Sequence, residues 1–227
     1  MNMRKTRLML AAALVATFTA TAFSPAAKAA DEQATVNHSL GTLQDLRHDK
    51  EFGNAKQLLN RARAILIAPR IFKAGFFFGG EGGSAVLLVR GANGWSDPAF
   101  YTIASASFGL QIGAEESEMI IFVMSDHALH ALMENKVKLG ANAGLAVATL
   151  GSTVEGATTT NAGADLIVWA SASGAYAGIS LDGSVVAPDH DADTSYYGRP
   201  VTSSDIVLRR DVRSHAASPL VATLGTL

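Results

Sequence analysis

Between residues 64 and 124 the apolar residues come in short runs of strand length, and glycine or proline separates one run from the next. The runs read "AILIAP", "SAVLLVRG" and "EMIIFVMS", and no helical stretch of crossover length stands between them. Strands that follow one another in this way are typical of an antiparallel sheet, whereas a parallel sheet needs alternating helices. The sequence therefore predicts an α+β fold, mostly an antiparallel β-sheet or barrel-like sandwich, with a few short helices at its edge.

Three stretches have the spacing of those helices. In "NAKQLLNRAR" we expect Asn54 to be the N-cap, with Ala55, Leu58, Leu59 and Ala62 on one face and charged residues on the other. Ser125 is expected to cap "DHALHALMEN", and a further helix is expected near Ser203 or Ser204. Pro69 is expected to end the first strand, which would leave Arg70 to Lys73 in a loop.

The first 29 residues have the three-part pattern of a secretory signal peptide. Arg4, Lys5 and Arg7 precede an uncharged apolar run, and the small-x-small triplet at 27–29 is a cleavage signal. We therefore predict cleavage after Ala29, a single mature domain at 30–227, and a periplasmic or secreted location with peripheral attachment to a membrane.

Composition narrows the classes of function. The chain has no cysteine, so it forms no disulfide. Four of its 18 basic residues and none of its 20 acidic ones lie in the predicted signal peptide, so the rest carries a formal charge of −6. That charge argues against nucleic acid as a partner. No serine stands in a G-x-S-x-G motif, so we identify no catalytic residue, predict no cofactor, and do not expect an enzyme.

One segment combines cations with apolar side chains. In "RARAILIAPRIFKAGFFF", Arg61, Arg63, Arg70 and Lys73 lie near Ile71 and Phe72. Such a mixture suits an anionic membrane surface, where each Lys or Arg contributes about 1 kcal/mol. The alternative is a solvated loop at 70–73, and Phe76 to Phe78 are expected to be core strand residues.

Two groups of residues could hold a metal ion. Asp189, Asp191 and Asp193 match the first three ligand positions of a calcium loop, but Thr194 and Pro200 stand where glycine and glutamate belong. The alternative is a solvated Asx-type turn. His127, His130 and Glu134 share one side of a short helix. They could form a zinc site, and the alternative is a polar stripe that faces solvent.

Five stretches together resemble one known family. They are "GFFFGGEGGSAVLLVR", "GWSDPAFYTIASASFGLQIGAE", "KLGANAG", "YAGISLDGSVVAPD" and "SYYGRPVT", in family order over a core of about 52–210. They resemble the SYLF domain, which is described as a lipid- and actin-binding domain in eukaryotic endocytic proteins. The resemblance implies a β-rich, non-enzymatic domain that binds membrane lipids, phosphoinositides in eukaryotic members. It also implies that "LDGS", the acidic turn and "YYG" are a structural element.

The resemblance suggests where lipid would bind. In eukaryotic members the contact is attributed to a basic N-terminal segment, and the nearest residues here by position are Lys56, Arg61 and Arg63. We therefore expect an exported module that binds anionic membrane lipids. The alternatives are a structural or protein-interaction component of the cell envelope and, third, a calcium- or metal-dependent protein. Actin is difficult to reconcile with export and is not expected as a partner.

Overall fold

The computed structural model describes residues 25–75, 78–108, 113–134, 136–139, 145–150, 163–173 and 184–227. In these ranges the helices are α1 (Pro25–His48), α2 (Phe52–Arg61), α3 (Asp126–Glu134), α4 (His190–Tyr197) and α5 (Ser218–Thr226). The strands are β1 (Ala64–Gly75), β2 (Phe78–Gly91), β3 (Gly94–Trp95), β4 (Ala99–Phe108), β5 (Gly113–Val123), β6 (Val137–Lys138), β7 (Val147–Thr149), β8 (Leu166–Ser173) and β9 (Val185–Pro188). A π-helical turn (Asp205–Arg209) and a 3-10 turn (His215–Ala217) precede α5.

The strands form one curled sheet in the order β6-β9-β4-β2-β1-β5-β8-β7, and β3 pairs with the end of β2. Its strand pairs are antiparallel except for β7 and β8, which run parallel. The predicted class, an α+β fold with a mostly antiparallel sheet, is confirmed. The long strands β1, β2, β4 and β5 are neighbours, as their succession in the sequence predicts.

Both faces of the sheet are buried over residues 64–68, 85–89 and 119–123. Ile65 and Ile67 point to the side that α1, α2 and α5 cover, which we call the α1 face. Leu66 and its alternate neighbours point to the opposite side, the α3 face, against α3 and the π-helical turn. Because each face meets an apolar layer there, consecutive residues of these three segments are all apolar, and the two-residue alternation of a half-exposed strand is absent from them.

Pro69 does not end β1, contrary to the sequence prediction. The register of β1 shifts between Ile67 and Phe72 against β2, and between Ala68 and Ile71 against β5. A β-bulge of this kind leaves a residue outside the ladder, so the missing N–H of proline costs no hydrogen bond there. The strand continues to Gly75, and residues 70–73 are strand, not loop.

Gly83 on β2 makes room for this bulge. A Cβ atom on Gly83 would stand 2.2 Å from the carbonyl oxygen of Arg70 and 3.2 Å from the Cα of Ile71. Both are backbone atoms, which cannot rotate away as the end of a side chain can. The "GGEGG" stretch between two apolar runs is typical of a hairpin, but it lies inside one continuous strand, β2, and the hairpin interpretation is wrong.

The described helices are more numerous than predicted. Helix α2 begins at Phe52, so Asn54 is not its N-cap, and the Asn54 Nδ2 donates to Glu51 Oε2 at 2.9 Å. The predicted cap of α3 is present, because Ser125 Oγ accepts a hydrogen bond from the Ala128 N–H at 3.1 Å. Helix α4 was not predicted. The alternating apolar residues of "SFGLQIGAE" and "GAYAGISLDG" predict two further strands, but residues 109–112 and 174–183 lie outside the described residues.

Helix α1 begins at Pro25, so the predicted boundary between residues 29 and 30 falls inside it. The division into a signal peptide at 1–29 and a domain at 30–227 stays a prediction. Within the described ranges, no helix combines the length and the apolar character that crossing a bilayer requires.

Candidate lipid-binding site

The structure separates the predicted lipid-binding residues into two groups. Lys56, Arg61 and Arg63, which we call the α2 group, lie on α2 and immediately before β1. Residues 70–73, the bulge group, lie further along β1. At a rise of about 3.3 Å per strand residue, Arg63 and Arg70 are roughly 20 Å apart. The seven residues therefore do not converge on a single pocket.

The α2 group lies at one end of the sheet. Its three side chains are exposed, and Arg63 Nε pairs with Asp126 Oδ1 at 3.2 Å. The backbone N–H of Arg90 on β2 donates to the Arg63 carbonyl at 2.8 Å. This bond places Arg90 next to Arg63, so Arg90 adds a cation at this end of the sheet. The Arg90 guanidinium lies 4.4 Å from the centre of the Trp95 ring, a cation–π contact. The sequence did not predict Arg90 as part of the site.

In the bulge group, Phe72 presents an apolar surface to solvent. Its side chain is 57% exposed, and Leu208 at 46% is the other large apolar residue of such exposure among the described side chains. Ile71, which precedes Phe72, points to the opposite side and is buried in the core of the α3 face. The backbone of Lys73 is in register with Glu81 and Glu115.

Arg70 forms a forked ion pair with a residue that sequence reasoning missed. Its Nε donates to Glu116 Oε1 at 2.5 Å and its Nη2 to Glu116 Oε2 at 3.3 Å. Glu116 is also the register partner of Phe72. The hydrogen bond from Arg70 holds the pKa of the Glu116 carboxyl below its ordinary value. Because 46 positions separate the two residues, no local pattern could have shown the pair.

A cleft of about 330 Å³ adjoins this ion pair on the α1 face. The sheet contributes Pro69, Arg70 and Ser84, and α1 contributes Asp31, Ala34, Thr35 and His38. The positive charge of His38, when it is protonated, acts with Arg70 to lower the pKa of Glu116. An arginine, a histidine, a serine and an aspartate thus line one opening.

The Asp189–Asp193 segment opens helix α4 and is not an irregular turn. Asp189 is the N-cap, and its Oδ1 accepts from the Ala192 N–H at 2.9 Å. Asp193 is fully buried and accepts from the Phe100 N–H at 2.7 Å, while Asp191 is exposed. Burial raises the pKa of Asp193 to about 7. Within the described residues, no three His, Cys, Asp or Glu side chains form a group that could hold a metal ion.

The two tyrosines at the end of α4 connect distant segments. Tyr196 OH donates to Gln33 Oε1 of α1 at 3.0 Å and accepts from Ser214 Oγ at 2.9 Å. Tyr197 OH donates to the Pro98 carbonyl at 2.7 Å. Gly198 ends the helix with a φ of 69°, a left-handed conformation that suits glycine. These contacts hold α4 and its two caps against the rest of the fold, while residues 181–183 of the "LDGS" stretch lie outside the described residues.

His127, His130 and Glu134 lie exposed on α3, while Ala128, Leu129 and Leu132 on its other side are buried in the core. This is the arrangement that the polar-stripe interpretation predicts.

Comparison with known proteins places this sequence in a family. Residues 104–227 match the family model Ysc84, described as "Las17-binding protein actin regulator". Protein YSC84 of Saccharomyces cerevisiae is 32% identical over 171 residues, which cover 74% of this chain and 36% of that protein. SH3 domain-containing YSC84-like protein 1 of Bos taurus is 31% identical over 171 residues, which cover 74% of this chain and 50% of that protein.

This chain therefore spans half or less of the length of these curated relatives. The family model alone covers more than half of the chain, and the relatives extend the match toward its N-terminus. The chain belongs to the Ysc84 family, the SYLF domain family that its sequence motifs predicted.

Proposed function

We propose that the protein is a non-enzymatic module that binds anionic membrane lipids in the cell envelope after export. The observation that carries the proposal is the exposure of Phe72, which is 57% exposed and is the register partner of Glu116, the residue that Arg70 pairs with. An exposed aromatic ring with an adjacent cation has the chemistry of a peripheral membrane contact.

The expected free energies of membrane binding favour an apolar contribution from Phe72, to which the positive charges add. Burying a phenylalanine side chain gains about 1.5–3 kcal/mol, and each cation near an anionic surface adds about 1 kcal/mol. Glu116 offsets part of the charge of Arg70, as Asp126 does for Arg63. Lys56 and Arg61 are exposed on α2 and supply further positive charge.

Vesicle co-sedimentation tests the proposal and separates the two groups. The purified protein is mixed with phosphatidylcholine vesicles with and without phosphatidylglycerol, at low and at high salt. We expect binding only to the anionic vesicles and weaker binding at high salt. The double variant R70Q/F72S should lose most of this binding. The triple variant K56Q/R61Q/R63Q should lose only the salt-sensitive part. No binding by the parent protein, or unchanged binding by both variants, would contradict the proposal.

A protein partner is the second candidate function. The matching family model is described as a Las17-binding protein and actin regulator, and the yeast LAS seventeen-binding protein 3 is 30% identical over 171 residues. Those descriptions refer to proteins more than twice as long as the matched segment. A stable partner recovered by crosslinking, together with no vesicle binding, would favour this function. Fractionation of expressing cells would test the predicted export. Export and actin as a partner are incompatible, so the result also tests actin.

A further inference from the structure

We infer that the cleft beside Arg70 binds the phosphate monoester of an anionic ligand, and that Glu116 occupies Arg70 when the cleft is empty. Binding then exchanges the Glu116 carboxylate for the phosphate on the same guanidinium. The inference names a ligand chemistry and a competing residue for the proposed membrane contact, and as a lipid site it rests on that proposed function.

The donors around the cleft match a phosphate group. Arg70 offers a planar fork of N–H groups that fits two phosphate oxygens, as it now fits two carboxylate oxygens. His38 and Ser84 also line the cleft and add a ring nitrogen and a hydroxyl. A volume of about 330 Å³ is sufficient for a headgroup of this size.

The Arg70–Glu116 pair is weak enough to exchange. Both side chains are largely in solvent, 60% and 48% exposed, and ion pairs of this kind contribute about 0–1 kcal/mol. A phosphate monoester carries about −1.5 to −2 charges at neutral pH. It therefore attracts the guanidinium more strongly than the single charge of Glu116 does. Asp31 also lines the cleft and opposes an anion, which predicts that D31N strengthens binding.

The position of Phe72 relates the cleft to a membrane. Phe72 is the register partner of Glu116 on the neighbouring strand, so the exposed ring adjoins the ion pair. A lipid whose phosphate enters the cleft would bring its acyl chains close to this ring. Phosphatidic acid has a terminal phosphate monoester, whereas phosphatidylglycerol has only a diester. The two lipids therefore separate phosphate recognition from general attraction to negative charge.

The test compares four single variants on vesicles of phosphatidylcholine that contain either phosphatidic acid or phosphatidylglycerol. R63Q and D126N are matched controls, because Arg63 and Asp126 form another exposed arginine–carboxylate pair at the opposite end of β1. We expect R70Q to weaken binding to phosphatidic acid about tenfold and to remove the preference for it. E116Q should strengthen that binding about threefold. R63Q and D126N should shift binding to both lipids equally.

Inorganic phosphate distinguishes the sources of the ligand. If inorganic phosphate displaces the protein from vesicles with phosphatidic acid, and displaces E116Q at lower phosphate concentrations, the free phosphate and the lipid phosphate share the cleft. Phosphate binding that depends on Arg70, without vesicle binding, supports the cleft as a site for a soluble anion and contradicts the membrane function. Equal binding of the parent protein to both lipids, with E116Q unchanged, overturns the inference while the membrane function stands. Circular dichroism of each variant confirms folding, and the opposite signs expected for R70Q and E116Q cannot both come from misfolding.

Discussion

The buried carboxylate of Asp193 accepts the backbone N–H of Phe100 at 2.7 Å, and this bond joins the first turn of α4 to the start of β4. Ser203 Oγ lies 3.4 Å from the other carboxylate oxygen, and His190 Nδ1 lies 4.0 Å from it. The acidic segment that could have been a metal loop is thus part of the packing between a helix and the sheet.

This arrangement predicts a dependence of stability on pH. Burial raises the pKa of Asp193 from 3.8 to about 7 in the folded protein. Between those values the unfolded chain has released the proton that the folded protein still holds. The contribution of Asp193 to the free energy of unfolding is therefore present at low pH and is lost as the pH rises toward and through 7. Chemical denaturation at several pH values measures it.

The variant D193N isolates the effect, because asparagine keeps an oxygen for the Phe100 N–H and does not ionise. We expect the stability of D193N relative to the parent protein to improve by about 1 kcal/mol or more between pH 4 and pH 8. A difference that does not change with pH would contradict this assignment. D193A should be less stable than D193N at all pH values, by about 1–3 kcal/mol, since it leaves a buried N–H unpaired.

The parts of the fold that local patterns encode could be predicted from the sequence. The buried face of α2 with Leu58 and Leu59, and the cap of α3 at Ser125, follow from periodicity and capping chemistry. Helix α4 also has a local signal that was interpreted differently: Asp189 is an N-cap and Gly198 a C-terminal glycine. The Arg70–Glu116 pair has no such signal, because the sheet register alone brings the two residues together.

Gly83 should tolerate no side chain. The Cβ of G83A would stand 2.2 Å from the Arg70 carbonyl oxygen, so β1 must shift at its bulge. Overpacking against backbone costs about 1–3 kcal/mol, which denaturant unfolding would measure as a lower midpoint. G80A is the matched control on the same strand, because, apart from its chain neighbours, no atom of the described residues lies within 4 Å of a Cβ built on Gly80. Equal midpoints for the two variants would show that the bulge does not require Gly83.

Calcium should not stabilise the protein. Two of the three aspartates are already engaged, Asp189 as the cap of α4 and Asp193 with Phe100, and only Asp191 is free to face solvent. We expect the thermal unfolding midpoint in millimolar calcium chloride to equal that in sodium chloride of the same ionic strength. A rise specific to calcium that D191N abolishes would restore the calcium site as the better interpretation.

Vesicle binding should depend on the ring of Phe72 in particular and not on every exposed apolar side chain. F72S removes the exposed ring from the α1 face and should weaken binding to anionic vesicles about tenfold, the equivalent of about 1.4 kcal/mol of buried apolar surface. L208S is the control, because Leu208 is exposed to a similar degree but lies on the π-helical turn that packs against the α3 face. L208S should bind as the parent protein does. If L208S loses binding and F72S does not, the membrane contacts the molecule near the π-helical turn and the bulge group is not its site.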